Sequence, residues 1–224
     1  MSRARLTVRM LLKGISGFAL IGALLFVPAG SFAYTEAWRF MLFMALMMLT
    51  FGIALLLNDP DTLNRRLNSK ETQPKQRAYI ALFGLMFVLS FVLAGFDYRC
   101  KWSHMPNWVS IAALALMGVG YLLYGMVIRQ NAYAARVVQV EEGQRVITTG
   151  VYAIVRHPMY LACLLLFLMM PLALGSYVAL LPMVALPILL ALRIKNEEAV
   201  LMDELAGYKE YMQKTKYRLI PFVW

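Results

Sequence analysis

The chain has 224 residues, of which 61% are hydrophobic and only 15% are charged, and its formal net charge is +10. This apolar share exceeds that of a soluble domain, so the composition excludes an ordinary globular protein and indicates a polytopic membrane protein. Long runs without charge favour helices over the alternating strands of a barrel. The predicted fold class is therefore all-α, a bundle of about six transmembrane helices. Cytoplasmic loops explain the positive charge more simply than nucleic acid does, so no nucleic-acid partner is expected.

Six stretches are apolar over about the 20 residues that a membrane span requires. Four of them fall in an N-terminal region, residues 1–128, and are expected at 11–27, 38–57, 78–96 and 108–128. The polar residues 59–77 between the second and third spans are expected to form a connecting loop.

A C-terminal region, residues 129–224, contains the other two spans. The run 159–194 is long enough for both, and Pro171 with Gly175-Ser176 predicts a tight turn in its middle, which makes a helical hairpin. Residues 196–216 are expected to form one polar helix at the membrane interface. Its apolar face would carry Leu201, Leu205, Tyr208 and Met212, although Gly207 weakens the helix.

The basic residues predict the orientation of the bundle. With the N-terminus inside and six spans, nineteen of the 22 lysines and arginines lie on the cytoplasmic side, and only Arg39, Arg99 and Lys101 lie outside. This bias predicts two cytoplasmic termini, in a bacterial inner membrane or the endoplasmic reticulum.

Two polar clusters interrupt the apolar C-terminal half. The first reads Tyr-Ala-Ile-Val-Arg-His-Pro-Met-Tyr over residues 152–160, and the second contains Arg193, Glu197 and Glu198. Arg193 and Glu197 are four residues apart and share a helix face, and six spans place both clusters on one side of the membrane. Together they offer a carboxylate for an ammonium or ribose group and donors for a carboxylate. The cysteines show no metal-ligand spacing, so no metal is expected. The chain has neither a Walker loop nor a dinucleotide fingerprint, which disfavours an ATP-driven pump and a Rossmann cofactor site.

These residues resemble the isoprenylcysteine carboxyl methyltransferase family over about residues 129–221. The resemblance is carried by Val137-Val138-Gln139, by residues 144–152, by Arg156-His157-Pro158-Met159-Tyr160, and by Arg193 to Leu201 followed by Gly207-Tyr208 and Tyr211. Phospholipid N-methyltransferases share the pattern, as do some membrane sterol reductases more loosely.

The resemblance implies a membrane enzyme that moves a methyl group from S-adenosylmethionine to a lipophilic or lipidated acceptor drawn from the membrane lipids. Cofactor contacts carry over to Gln139, Gln144, Arg145, Val146, Ile147, Tyr152, His157, Pro158, Met159, Tyr160 and Glu197. Arg193 falls on the position that binds the polar end of the acceptor, and Arg193 and Glu197 are the catalytic candidates.

Three functions remain open from the sequence. Carboxyl O-methylation of an isoprenylcysteine-type acceptor is favoured and needs no general base, because a carboxylic acid is ionised at neutral pH. Amine N-methylation of a phospholipid would need a base such as His157 or a glutamate. A sterol-reductase-like enzyme would depend on nicotinamide. A transporter is disfavoured because the first five spans contain essentially no charged side chains in their cores.

Overall fold

A computed structural model describes residues 3–68, 74–131 and 143–224, and within these ranges the protein is helical without strands. The all-α fold class is thereby confirmed. The α-helices are α1 (Arg3–Ala29), α2 (Thr35–Asn58), α3 (Pro60–Asn68), α4 (Pro74–Cys100), α5 (Asn107–Gln130), α6 (Pro158–Ala173), α7 (Leu186–Glu204) and α8 (Tyr208–Lys214). Two 3₁₀ helices, Gly150–Ala153 and Val178–Ala185, precede α6 and α7.

The chain is an integral multi-pass membrane protein. Five described segments are long and apolar enough to cross a bilayer: α1, α2, Arg77–Cys100, α5, and Val178–Glu204. The remaining predicted span, α6, is apolar but has only 16 residues. At 1.5 Å per residue it extends about 24 Å, less than the hydrocarbon thickness, and it packs against α5. Gly120 of α5 permits that approach, because a Cβ there would lie 3.1 Å from the Leu165 Cβ.

In the run 159–194, where a helical hairpin is expected, α6 is followed by a turn at residues 174–177 and then by the second 3₁₀ helix and α7. Pro171 lies inside the last turn of α6, and Gly175 adopts a φ of 75°, which only glycine accepts easily. The Ser176 amide donates to the Pro171 carbonyl (3.0 Å), and the Ser176 hydroxyl donates to Asp97 of α4. The turn is therefore fixed both by its own backbone and by a neighbouring helix.

The prediction of a connecting loop at 59–77 is wrong for the described part of that range, which is mostly helical. Residues 60–68 form α3, which begins after Asp59, whose carboxylate accepts a hydrogen bond from the Thr62 amide at 3.0 Å. At the other end, the Lys13 ammonium donates to the Leu67 carbonyl at 2.5 Å and satisfies one of the free acceptors there. An aspartate cap before a proline was the local signal for this helix.

The prediction of a single interfacial helix at 196–216 is also wrong. Residues 196–204 continue α7 without a break, and Leu205 ends that helix. Gly207 then takes a φ of 81°, and the chain restarts as the separate α8. Gly207 thus lies between the two helices and redirects the chain into α8, and glycine adopts the required positive φ without steric cost.

The bundle has two polar ends. One end, called the site end below, contains the start of α1, α3 and the segment around residue 152. The Gln130 side chain at the end of α5 contacts that segment. At the opposite end, the Tyr34 hydroxyl donates to the Leu174 carbonyl (2.5 Å), and Arg39 donates to Asn107 (2.7 Å). Between the ends, buried side chains from α1, α2, α4, α5, α6 and α7 form the main apolar core.

Candidate functional site

The segment that leads into α6 is held by the end of α5. The Val151 amide donates to the Gln130 side chain at 3.2 Å, and the Asn131 side chain donates to the Tyr152 hydroxyl at 2.9 Å. Gly150 has a φ of 61°, and a Cβ at this position would lie 2.5 Å from the Gln130 side chain. The positive φ favours glycine, and its missing side chain leaves room for Gln130, so the end of α5 holds the chain on its path towards His157.

The C-terminal residues pair with the same segment from its other side. The amides of Arg156 and His157 donate to the carbonyls of Tyr217 and Arg218, each at 2.9 Å. The Tyr152 carbonyl accepts hydrogen bonds from the Tyr211 hydroxyl (2.7 Å) and the Thr215 hydroxyl (3.3 Å). The polar turn before α6 is therefore fixed at successive residues by main-chain and side-chain contacts.

A buried charged network, the Glu198 network, is built from Arg156, His157, Glu198 and Arg218. Glu198 is 2% exposed, and one of its carboxylate oxygens accepts from Arg156 (2.7 Å) and from His157 Nε2 (3.2 Å). Its other oxygen accepts from Arg218 at 2.7 Å. Arg156 also donates to the carbonyls of Thr215 and Lys216, both at 2.8 Å. These pairings offset the large desolvation cost of a buried carboxylate.

A second set of contacts, the Tyr160 chain, joins Arg193, Tyr160 and Glu197. Arg193 Nε donates to the Tyr160 hydroxyl at 2.8 Å, and that hydroxyl donates to Glu197 at 2.5 Å. His157 links this chain to the Glu198 network, because its ring centroid lies 5.7 Å from that of Tyr160 and its Nδ1 lies 4.0 Å from Glu197. The two polar clusters of the sequence are thus brought together in one place.

An apolar and aromatic cluster, the Tyr152 cluster, lies beside these charges. Its buried members are Val127, Tyr152, Leu205, Tyr208 and Tyr211, and Val146, Ile147, Val151, Met159, Leu201, Met202 and Met212 pack against them. Burial raises the pKa of Tyr152 to about 12, the Asn131 hydrogen bond opposes the rise, and the Glu197 charge adds to it. The phenol is therefore neutral at physiological pH and remains a hydrogen-bond donor.

The candidate residues of the sequence divide among these parts. His157, Tyr160, Arg193 and Glu197 meet in the charged region, where Pro158 forms the first turn of α6. The residues Val146, Ile147, Tyr152 and Met159 belong to the Tyr152 cluster. Gln144 is half-buried and Arg145 is exposed, while Gln139 lies outside the described residues.

Glu198 belongs to the second polar cluster of the sequence but received no role in the site there, although it accepts from three donors, and Arg218, one of those donors, was missed. Glu198 had a signal, because it follows Leu186, Leu190 and Ile194 at intervals of four residues, and the structure buries all four on one face of α7. That spacing puts Glu198 on the inner face. Arg218 had none, because it reaches the site through a tertiary contact that no local pattern encodes.

Comparison with known protein families identifies the central part of this architecture. Residues 109–203 match the isoprenylcysteine carboxyl methyltransferase (ICMT) family, which confirms the resemblance seen in the sequence. The matched region runs from α5 to the end of α7 and includes the segment before α6. Comparison with curated proteins finds no significant match.

Proposed function

We propose that this protein, whose residues 109–203 match the ICMT family, transfers a methyl group from S-adenosylmethionine to the carboxylate of a lipophilic acceptor of the isoprenylcysteine type. The observation that carries the proposal is the junction of the Tyr160 chain with the Glu198 network through His157. It puts both signs of charge beside an apolar cluster, at one end of a membrane bundle. A methyl donor with an amphiphilic acceptor needs such a combination.

The side chains at this junction suit the polar and apolar parts of the proposed cofactor. Glu197 retains 23% side-chain exposure, unlike the enclosed Glu198, so its carboxylate can accept hydrogen bonds from an ammonium group. The Tyr152 cluster offers aromatic and aliphatic surface to a nucleoside. The bound cofactor would supply a sulfonium-activated methyl group, so the protein needs to position the reactants more than to activate them.

Arg193 is suited to hold the acceptor. Arg193 is 7% exposed on the inner face of α7, and its guanidinium carbon lies 5.8 Å from the centroid of the Tyr160 ring, which allows a cation–π contact. A guanidinium in such surroundings favours a carboxylate, which it can bind through two parallel hydrogen bonds. The carboxylate oxygen forms the new bond to the methyl carbon as the carbon–sulfur bond breaks. The products are a methyl ester and S-adenosylhomocysteine.

The deciding experiment incubates native membranes containing the protein with methyl-labelled S-adenosylmethionine and extracts the labelled product. We expect label in a lipophilic fraction, released as methanol by mild base, since methyl esters hydrolyse and methylated amines do not. Base-stable label would indicate that the acceptor is an amine and not a carboxylate. The absence of protein-dependent label would reject the methyltransferase proposal.

The assigned roles predict a split between two variants. Glu197→Ala should raise the Kd for S-adenosylhomocysteine about tenfold or more, because a charged hydrogen bond is lost. Arg193→Ala should mainly lower the turnover of the acceptor. Calorimetry measures the first effect and the labelling assay the second. Equal losses of both quantities in both variants would contradict the separation of roles.

A further inference from the structure

Tyr208 occupies a buried position that the proposed function does not yet use. It is the first residue of α8, directly after the left-handed Gly207, and it is 4% exposed. Its ring packs in the Tyr152 cluster and lies 5.8 Å from the Tyr211 ring. The turn at Gly207 thus buries a polar aromatic side chain among residues proposed to hold a nucleoside.

The Tyr208 hydroxyl has no hydrogen-bond partner among the described residues. The hydroxyls of two neighbouring tyrosines do have partners. The Tyr152 hydroxyl accepts from Asn131, and the Tyr211 hydroxyl donates to the Tyr152 carbonyl. Two other buried side-chain atoms in the described part of the chain, Arg39 Nε and Arg66 Nε, also lack a partner, but both guanidinium groups bond through other nitrogens. Leaving a buried hydroxyl without a partner is unfavourable, so native proteins rarely do so without a reason.

The surroundings keep this hydroxyl protonated. Burial raises the pKa of Tyr208, and the negative charges of Glu198 and Glu197 raise it further, while Arg156 opposes them. The group is therefore a neutral donor within electrostatic range of the charged region. A neutral donor among apolar side chains suits a neutral acceptor atom, such as a ring nitrogen or a ribose oxygen.

We propose that the Tyr208 hydroxyl donates a hydrogen bond to the nucleoside part of the methyl donor, an inference that rests on the proposed function and adds a contact to it. Tyr208 lies beyond residue 203, where the match to the ICMT family ends, and the resemblance of the sequence to that family assigns no cofactor contact to it. When the nucleoside lies against the Tyr152 cluster, the Tyr208 hydroxyl gains the hydrogen-bond acceptor that it otherwise lacks. The Tyr208 hydroxyl then contributes to affinity for the donor, whereas its ring packs in the ligand-free fold.

The test compares Tyr208→Phe with the unmodified full-length protein in detergent. Phenylalanine removes only the oxygen, so the Kd for S-adenosylhomocysteine should rise about 3- to 10-fold, as expected for one neutral hydrogen bond. The Kd for 5′-methylthioadenosine, which lacks the amino-acid part, should rise by the same factor. The thermal midpoint of the ligand-free variant should stay unchanged or increase, because an unsatisfied buried group is gone.

Tyr211→Phe is the matched control for stability. It removes a hydroxyl that does have a partner, so its ligand-free thermal midpoint should fall. A fall of similar size in Tyr208→Phe would overturn the inference, because that hydroxyl would then have a partner in the fold. Unchanged affinities would overturn it as well, and so would a loss confined to S-adenosylhomocysteine. If the unmodified protein binds neither compound, the proposed function itself fails, and the two failures are thereby distinguished.

Discussion

At the scale of single residues, Glu198 determines which ring nitrogen of His157 carries a proton. Its carboxylate is held by Arg156 on one oxygen and by Arg218 on the other, and His157 Nε2 faces the oxygen shared with Arg156. A carboxylate can only accept, so Nε2 carries the proton. Nδ1 then faces the Tyr160 chain and Glu197. Arg218 therefore acts as a positioning residue, since it fixes the carboxylate that orients the imidazole.

Arg218→Gln should loosen this arrangement, because a neutral amide cannot replace the charged hydrogen bond to Glu198. The chain has two histidines, so a His104→Gln background leaves His157 as the only imidazole signal. In ¹⁵N spectra of that background, Nε2 should have the shift of a protonated ring nitrogen. Arg218→Gln should produce a mixture of tautomers.

Arg218→Lys is the matched control, because lysine keeps the charge and one donor. It should restore most of the Nε2–H signature, and it should restore the affinity for S-adenosylhomocysteine if orientation of His157 underlies that affinity. An unchanged spectrum in Arg218→Gln would show that Arg156 alone positions Glu198.

The sequence predicted the residues of the charged region better than their connections. His157, Arg193 and Glu197 were found because their types and spacing resemble a family pattern, and they do meet. Their link through the Tyr160 hydroxyl depends on how α6 packs against α7, which no local pattern encodes. Gln130 was missed for the same reason, because its role is defined by the Gly150 turn that it contacts.

At the scale of helices, apolar length predicted the spans well and their ends poorly. α1 begins at Arg3 and α4 at Pro74, well before the apolar stretches expected at 11 and 78. A helix does not stop where the hydrocarbon begins, because its backbone hydrogen bonds are equally available to polar residues. The short α3 has no apolar run long enough for a span, so only its cap could have identified it.

The close packing of α1 against α4 depends on one glycine. A Cβ on Gly95 would lie 2.6 Å from the Leu25 carbonyl and 2.9 Å from the Pro28 Cβ, both parts of α1 with little freedom to move. Gly95→Ala should therefore push the helices apart and destabilise the protein by about 1–3 kcal/mol. Thermal unfolding in detergent measures the loss as a lower midpoint.

Gly84→Ala is the control on the same helix, because a Cβ at Gly84 meets nothing within 4 Å. Alanine has the higher helix propensity, so this variant should be neutral or more stable by up to about 1 kcal/mol. Equal effects of the two substitutions would mean that helix propensity, and not the α1–α4 contact, controls stability here.

At the scale of the whole molecule, the two polar ends have different organisation. The site end carries the proposed chemistry, whereas the opposite end ties helices together. There Asp97 of α4 accepts from the Ser103 amide (2.6 Å) and hydroxyl (2.5 Å), and from the Ser176 hydroxyl. One buried carboxylate thus joins the α4–α5 connection to the turn after α6, far along the bundle from His157.

Asp97→Ala should consequently lower the thermal midpoint without changing the Kd for S-adenosylhomocysteine. Removing the carboxylate leaves up to three donors unsatisfied, and each buried one costs about 1–3 kcal/mol. Unfolding and calorimetry on the same preparation separate the two quantities. A weakened Kd in protein that remains folded would indicate that the two ends are coupled through the bundle.

The orientation of the bundle can be tested with the native cysteines. The excess of basic residues at the site end predicts that this end faces the cytoplasm. Cys100, at the end of α4 beside Lys101, is exposed at the opposite end, whereas Cys163 lies within α6. In a Cys163→Ala background, a membrane-impermeant maleimide should label Cys100 on intact cells.

The matched experiment places a cysteine at the site end. Lys209→Cys on α8, with both native cysteines replaced by alanine, should be labelled only after permeabilisation. The reverse pattern would place the proposed site outside, away from cytoplasmic S-adenosylmethionine.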